Sequence, residues 1–143
     1  MEKTIVDIFA PLLLEVKGRH KKIMAMGNGG SCAEADHLVS EFVTHGIPAI
    51  SLCNPATITA LANDYRYSEV FSRQVKVLGN MGDVLIGLST SGKSKNILMA
   101  YRVAHKMGIN TIDWPREGKD TAEIQEYQLK LMHQVYKKAT EKR

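Results

Sequence analysis

The chain has 143 residues, 44% apolar and 24% charged, which suits one folded domain with one core. No apolar run approaches the ~18–20 residues that cross a bilayer, and Glu2 and Asp7 interrupt the start where a signal peptide would be continuous, so a cytoplasmic protein without membrane attachment is expected. The formal charge of +4, from 19 basic and 15 acidic side chains, does not point to nucleic acid: the excess gathers at Lys17–Lys22 and in the tail from Lys137 to Arg143, as solvated helix ends would place it, with no basic stripe among aromatics.

Residues 1–20 read as an N-terminal helical segment, with Ile5, Val6, Ile8, Phe9, Leu12, Leu13 and Val16 at helical spacing over Thr4 to about Glu15 and Pro11 bending or delimiting the helix. Lys21–Met26 is the first strand. It breaks into Gly27-Asn28-Gly29-Gly30-Ser31, after which Ala33–Phe42 is helical, with Leu38, Val39, Phe42 and Val43 facing a core. Ile47–Leu52 reads as a second strand, Thr57–Ala62 as a short helix ending before Asn63-Asp64, and Tyr67–Leu78 as a further helix. A strand at Asp83–Leu88 runs into Ser89-Thr90-Ser91-Gly92-Lys93-Ser94, followed by a helix over Asn96–Lys106, a strand at Ile109–Ile112 and a long final helix over 120–138. Strands alternating with helices predict a three-layer α-β-α sandwich, a mainly parallel sheet covered on both faces. Cys32 and Cys53 lack metal-type spacing and read as small packing residues, not a disulfide.

Two strand–turn–helix units are anion-binding designs, because free backbone N–H groups and the positive end of a helix face the turn. His37 and Glu41 lie four apart on the helix leaving the first turn, on one face and about 6 Å apart along its axis. Gln125 and His133 lie about 12 Å apart on the final helix. An imidazole and a carboxylate brought together can exchange protons or hold a metal. Taken singly, each pattern is more often a solvated ion pair, a polar helix face, a turn glycine or a helix cap; their joint occurrence in one small domain carries the argument.

Gly27-Asn28-Gly29-Gly30-Ser31 with Ala35-Asp36-His37 and Glu41, then Leu61-Ala62-Asn63-Asp64-Tyr65, Phe71-Ser72-Arg73-Gln74-Val75, Gly82–Gly92 and Thr121-Ala122-Glu123-Ile124-Gln125-Glu126, resemble the phosphoheptose isomerase group of the sugar isomerase (SIS) domain proteins, a flavodoxin-like or Rossmann-like fold. The resemblance spans nearly everything from Lys22 to His133. It implies interconversion of sedoheptulose 7-phosphate and D-glycero-D-manno-heptose 7-phosphate through an enediol, for bacterial heptose and lipopolysaccharide synthesis. By position, Ser89, Thr90, Ser91 and Ser94 would hold the phosphate, while Asn28, Gly29, Gly30, Ser31, Asn63, Asp64, Gln125 and Glu41 would line the sugar. His37, Glu41, Gln125 and His133 match the metal positions, with zinc expected, and Glu41 and His133 the catalytic ones, as base and acid in either order. Two residues ~12 Å apart on a straight helix cannot both ligate one ion at ~2 Å. Either the side chains come from different subunits, which fits the family's tetramers with interfacial sites, or one is not a ligand; a homo-oligomer is therefore expected. The rival expectation is a non-catalytic SIS-domain protein that binds a protein partner, of the replication-initiator-associated type, or senses a sugar phosphate.

The chain departs from the family pattern in two places. Thr44-His45 passes almost directly to Gly46-Ile47-Pro48, and the stretch between Ile112 and Thr121 is shorter by about twenty residues, roughly a strand with its connections. The expectation drawn is that ordered segments join there across missing loops, with Cα separations well above 3.8 Å.

Overall fold

The computed structural model describes residues 3–141; Met1, Glu2, Lys142 and Arg143, the ends of the expected 1–143 domain and of its basic tail, lie outside them. Four strands, β1 (Ile23–Gly27), β2 (Ala49–Ser51), β3 (Val84–Leu88) and β4 (Asn110–Asp113), form one parallel sheet in the order β2-β1-β3-β4. Ile23 stands opposite both Ala49 and Val84, and Val84 opposite Asn110. Every residue of the two central strands is buried, as their unbroken apolar sequences require of strands covered on both faces. The expected strand Ile47–Leu52 shortens to three residues, because Pro48 has no N–H to give the ladder and contributes only its carbonyl, to Ile23 N at 2.9 Å.

Among the described residues six helices complete the layers: α1 (Ile5–Gly18), α2 (Gly30–Thr44), α3 (Pro55–Asp64), α4 (Ser72–Leu78), α5 (Lys95–Lys106) and α6 (Thr121–Thr140). Helix α6 packs on α1 and α2, while α4 and the 3-10 turn Tyr67–Glu69 pack on α5, the division that right-handed crossovers impose on this strand order. Among the described residues no helix is long and apolar enough to cross a membrane.

Local chemistry explains the helix starts. Thr4 and Asp7 form a reciprocal capping box at α1, which holds the Asp7 carboxyl below the usual carboxylate range. Asn54 caps α3 and Asp120 caps α6. Pro11 neither ends nor shortens α1, which continues to Gly18 with the proline on its exposed side. The helix expected over Tyr67–Leu78 is instead the 3-10 turn and α4. Val70 and Phe71 are both buried between the two pieces, and Ser72 Oγ and Gln74 Nε2 donate to the carbonyls of Glu69 and Val70 at that joint. Val43, expected to face the core, is 55% exposed, whereas Leu38 and Phe42 on the same helix are buried.

Three helices stop in the same way. In α1, α2 and α5 the residue after the cap lies in the left-handed region, His20, Gly46 and Gly108 respectively, and its own amide and the following one turn back to close the last carbonyls. At the second of these, Gly46 N donates to Val43 O at 3.0 Å and Ile47 N to Phe42 O at 2.8 Å, so the backbone runs through 44–47 in one tight turn. At the other shortened place Trp114 N donates to Gly87 O at 2.9 Å, one step beyond the β4 register. The chain turns from β4 directly toward α6, which leaves β4 as an edge strand.

The core lies along both faces of β1 and β3 and includes Leu13, Met24, Met26, Phe42, Leu85 and Ile86. Trp114, fully buried, donates Nε1–H to Gln128 O at 3.2 Å and packs 5.5 Å from the Phe9 ring. The buried Asp83 carboxylate is held by Lys22 Nζ at 2.7 Å and by the amides of Lys22 and Asn80 at 3.0 and 2.8 Å. Cys53 is buried as a free thiol that donates to Gly27 O, and burial, aided by the neighbouring Cys32, pushes its pKa up to about 12.

Candidate active site

The strand order reverses between β1 and β3. The chain leaves β1 for α2 on one face and β3 for α5 on the other, so a crevice opens at their C-terminal ends, where parallel sheets place ligands. Both glycine- and serine-rich turns line that crevice.

In the first turn Gly29 adopts φ +57°, a conformation that a side chain would strain, and no side chain caps α2. Gly30 lies against the Gln125 amide, and a Cβ there would collide with it. Asn28 does not present a free amide. It exchanges two hydrogen bonds with Asn96, at 2.9 and 2.8 Å, and its Oδ1 also accepts from Tyr67 Oη at 2.9 Å. Through Asn96 on α5 the first turn is tied to the second. Asn63 and Asp64 end α3, exposed and hydrogen-bonded to each other, four and three residues before Tyr67. Ser31 is buried.

In the second turn Ser89 Oγ accepts from Gly92 N at 3.0 Å and Ser91 Oγ from Lys93 N at 3.1 Å. Ser94 occupies the cap position of α5 without using its side chain as a cap, and the positive end of the helix faces the turn. Thr90 lies half-buried between Ser89 and Ser91.

Helix α6 runs beside α2, with Gln125 level with Gly30 and His133 level with His37. His37 Nε2 is 3.1 Å from His133 Nε2 and 3.5 Å from Glu41 Oε1. One ligand atom from each of these residues falls within 4.8 Å of the others. For a tetrahedral zinc with bonds near 2.0–2.1 Å, ligand atoms stand about 3.3 Å apart, so two imidazoles and a carboxylate at these separations fit the ion. Three of the four expected metal residues thus converge within one chain. Gln125 stands apart, with its amide about 10 Å along α2 from His37 by helix rise.

Two neighbours escaped the sequence reading. His45 Nδ1 lies 2.6 Å from Glu41 O and 4.0 Å from Glu41 Oε2, and its ring packs 5.1 Å from Tyr136, which in turn meets His133 edge-on. The i, i+4, i+8 series His37, Glu41, His45 was the available signal. Glu34, one turn before His37, buries Oε2 without a hydrogen-bond partner, and desolvation raises its pKa to about 7.

A family model described as the SIS domain matches residues 3–113. The phosphoheptose isomerase of Thermodesulfovibrio yellowstonii is 40% identical, over 92% of this chain and 75% of its own length. That of Geotalea daltonii is 46% identical over 79% of this chain, which spans 63% of that relative. The structure of phosphoheptose isomerase from Neisseria gonorrhoeae superposes with a TM-score of 0.86 at 34% identity, covering 90% of this chain and 80% of that one.

Proposed function

The chain belongs to the phosphoheptose isomerase family of SIS-domain proteins, and from that membership we propose that it interconverts sedoheptulose 7-phosphate and D-glycero-D-manno-heptose 7-phosphate. The observation that carries the reading is the convergence of His37, Glu41 and His133 on the seam between α6 and α2, the helix that leaves the first turn. A ketose becomes an aldose when a proton moves between adjacent carbons through an enediol, so one group removes a carbon-bound proton while another protonates an oxygen. Glu41 and His133 supply a carboxylate and an imidazole for those roles, in either order. The Ser89–Ser94 turn and the start of α5 hold the phosphate, with Ser89, Thr90, Ser91 and Ser94 contributing hydroxyls. Gly29 lets the sugar approach the backbone, Gly30 leaves room for the Gln125 amide, and Gly30, Ser31, Asn63, Asp64 and Gln125 line the sugar. Asn28 fixes the first turn to the second in addition to any contact with the sugar.

His37, Glu41 and His133 would hold zinc, which when bound supplies a Lewis acid for the sugar oxygens. Gln125 is a sugar-facing residue in this reading, not a ligand. A cytoplasmic enzyme serving bacterial heptose and lipopolysaccharide synthesis is part of the same proposal. So is a homo-oligomer, a tetramer with sites near its interfaces, for which the support is family membership and apolar surface such as Val77 and Met81, 82% and 73% exposed. The rival reading as a non-catalytic SIS-domain protein is not favoured.

The test is to incubate the protein with sedoheptulose 7-phosphate, with and without added zinc, and follow aldose formation beside Glu41→Gln and His133→Ala. Either variant is expected to lose about 10²–10⁴ in kcat. A folded wild type that forms no aldose under either condition overturns the proposal.

A further inference from the structure

We propose that Arg116, on the segment that follows β4, is a phosphate-recognition residue acting from above the Ser89–Ser94 turn; the inference rests on the sugar-phosphate reading of that turn. Its position follows from the sheet. Arg116 lies two residues beyond Trp114, where the ladder with β3 ends, and so stands at the same C-terminal edge as the turn. Nη1 donates to Ser89 O at 3.3 Å and to Asp113 Oδ1 at 3.0 Å, while Nη2 donates to Asp113 Oδ2 at 2.6 Å. The carboxylate beside it raises the guanidinium pKa further, and a planar group gripped on its end edge has little freedom to rotate.

A guanidinium carries five N–H donors, and three are used in these bonds. The remaining two, Nε–H and the second N–H of Nη2, have no partner among the described residues. They lie parallel on one side edge, the spacing that receives two oxygens of a phosphate. Gly92 does not block that edge. A Cβ built on Gly92 would stand 2.7 Å from Cζ, 2.7 Å from Nη2 and 3.0 Å from Nε, so Gly92 lies under the face of the group and not in front of its donors. The side chain is 30% exposed. Asp113 therefore aims a cation whose free donor pair borders the turn that the serines and the α5 dipole already prepare for an anion. The occupant is a phosphomonoester dianion.

Equilibrium titration with inorganic phosphate tests this in wild type, Arg116→Met and Arg116→Lys, beside the KM for sedoheptulose 7-phosphate. Arg116→Met is expected to weaken phosphate about tenfold and to raise KM by a similar factor, as loss of charge-assisted hydrogen bonds does. Arg116→Lys keeps the charge but not the parallel donors and recovers only part of the affinity. Phosphate affinity unchanged in folded Arg116→Met overturns the inference. If Arg116→Met does not fold, unchanged phosphate affinity in Arg116→Lys overturns it equally. A wild type that binds phosphate through Arg116 yet leaves sedoheptulose 7-phosphate unconverted removes the isomerase reading and keeps this one.

Discussion

The Nε2 atoms of His37 and His133 meet at 3.1 Å across the α2–α6 seam, from positions 96 residues apart in the chain. Two imidazole nitrogens at that distance need a proton or a cation between them, and Glu41 Oε1 at 3.5 Å adds a negative charge to the pair. Zinc is therefore expected to stabilise the fold, by about 2.7 kcal/mol at a hundredfold excess over Kd. Thermal unfolding with zinc and after chelation measures it. His37→Ala and His133→Ala should each abolish the zinc-dependent rise; a rise that survives both substitutions places the ion elsewhere.

Glu34 gives a pH signature. Burial lifts its pKa from an ordinary 4.5 to about 7, so between those values the folded chain binds more protons than the unfolded one. Stability then falls as pH rises through that window, with the cost absent below about 4.5 and complete above about 7. Because the side chain is partly exposed, the cost is about 1 kcal/mol after allowance for solvent screening. Glu34→Gln should be more stable than wild type by that amount at pH 8 and nearly equal to it at low pH. A difference in urea midpoint that does not vary with pH contradicts this account.

The reciprocal amide pair of Asn28 and Asn96 should behave as one unit. Asn28→Ala and Asn96→Ala are each expected to cost about 1–2 kcal/mol, because each leaves a part-buried amide unpaired. The double variant should cost less than the sum by about 1 kcal/mol. Strictly additive losses in denaturant unfolding would show that the two turns are held together by other contacts.

Asp83 should be among the most sensitive positions away from the crevice. It anchors the Lys22 ammonium and two backbone amides at the entry to β1 and β3 while itself buried. Asp83→Ala leaves those groups without their acceptor and is expected to cost about 3 kcal/mol in chemical denaturation. A loss below 1 kcal/mol would mean that water replaces the carboxylate.

The layers of the fold were legible because their signals are local. Met24–Met26 and Val84–Leu88 are apolar on both alternating faces, and Gly27–Gly30 and Ser89–Ser94 interrupt them with residues that helix starts require. The pairing of His37 with Glu41 is likewise written in a four-residue spacing. Other features depend on distant partners. The break at Val70-Phe71 rests on burying both side chains, and Val43 is exposed although its spacing matches that of Phe42. The level at which α6 docks on α2 decides that His133, and not Gln125, meets His37; no periodicity within either helix encodes that offset. Arg116 carried no motif at all, since its role arises only where the end of β4 comes beside the end of β3.

Trp114 is the chain's one tryptophan, and it lies beneath α6, bonded to the Gln128 carbonyl and touching Phe9 of α1. The same helix carries His133 to His37 five residues further on. Any loosening of α6 that opens the histidine pair must also wet or reorient the indole. The molecule thus holds an optical probe against the helix that carries the histidine pair together, and its ultraviolet emission will register, in real time and without a label, how tightly that helix is docked.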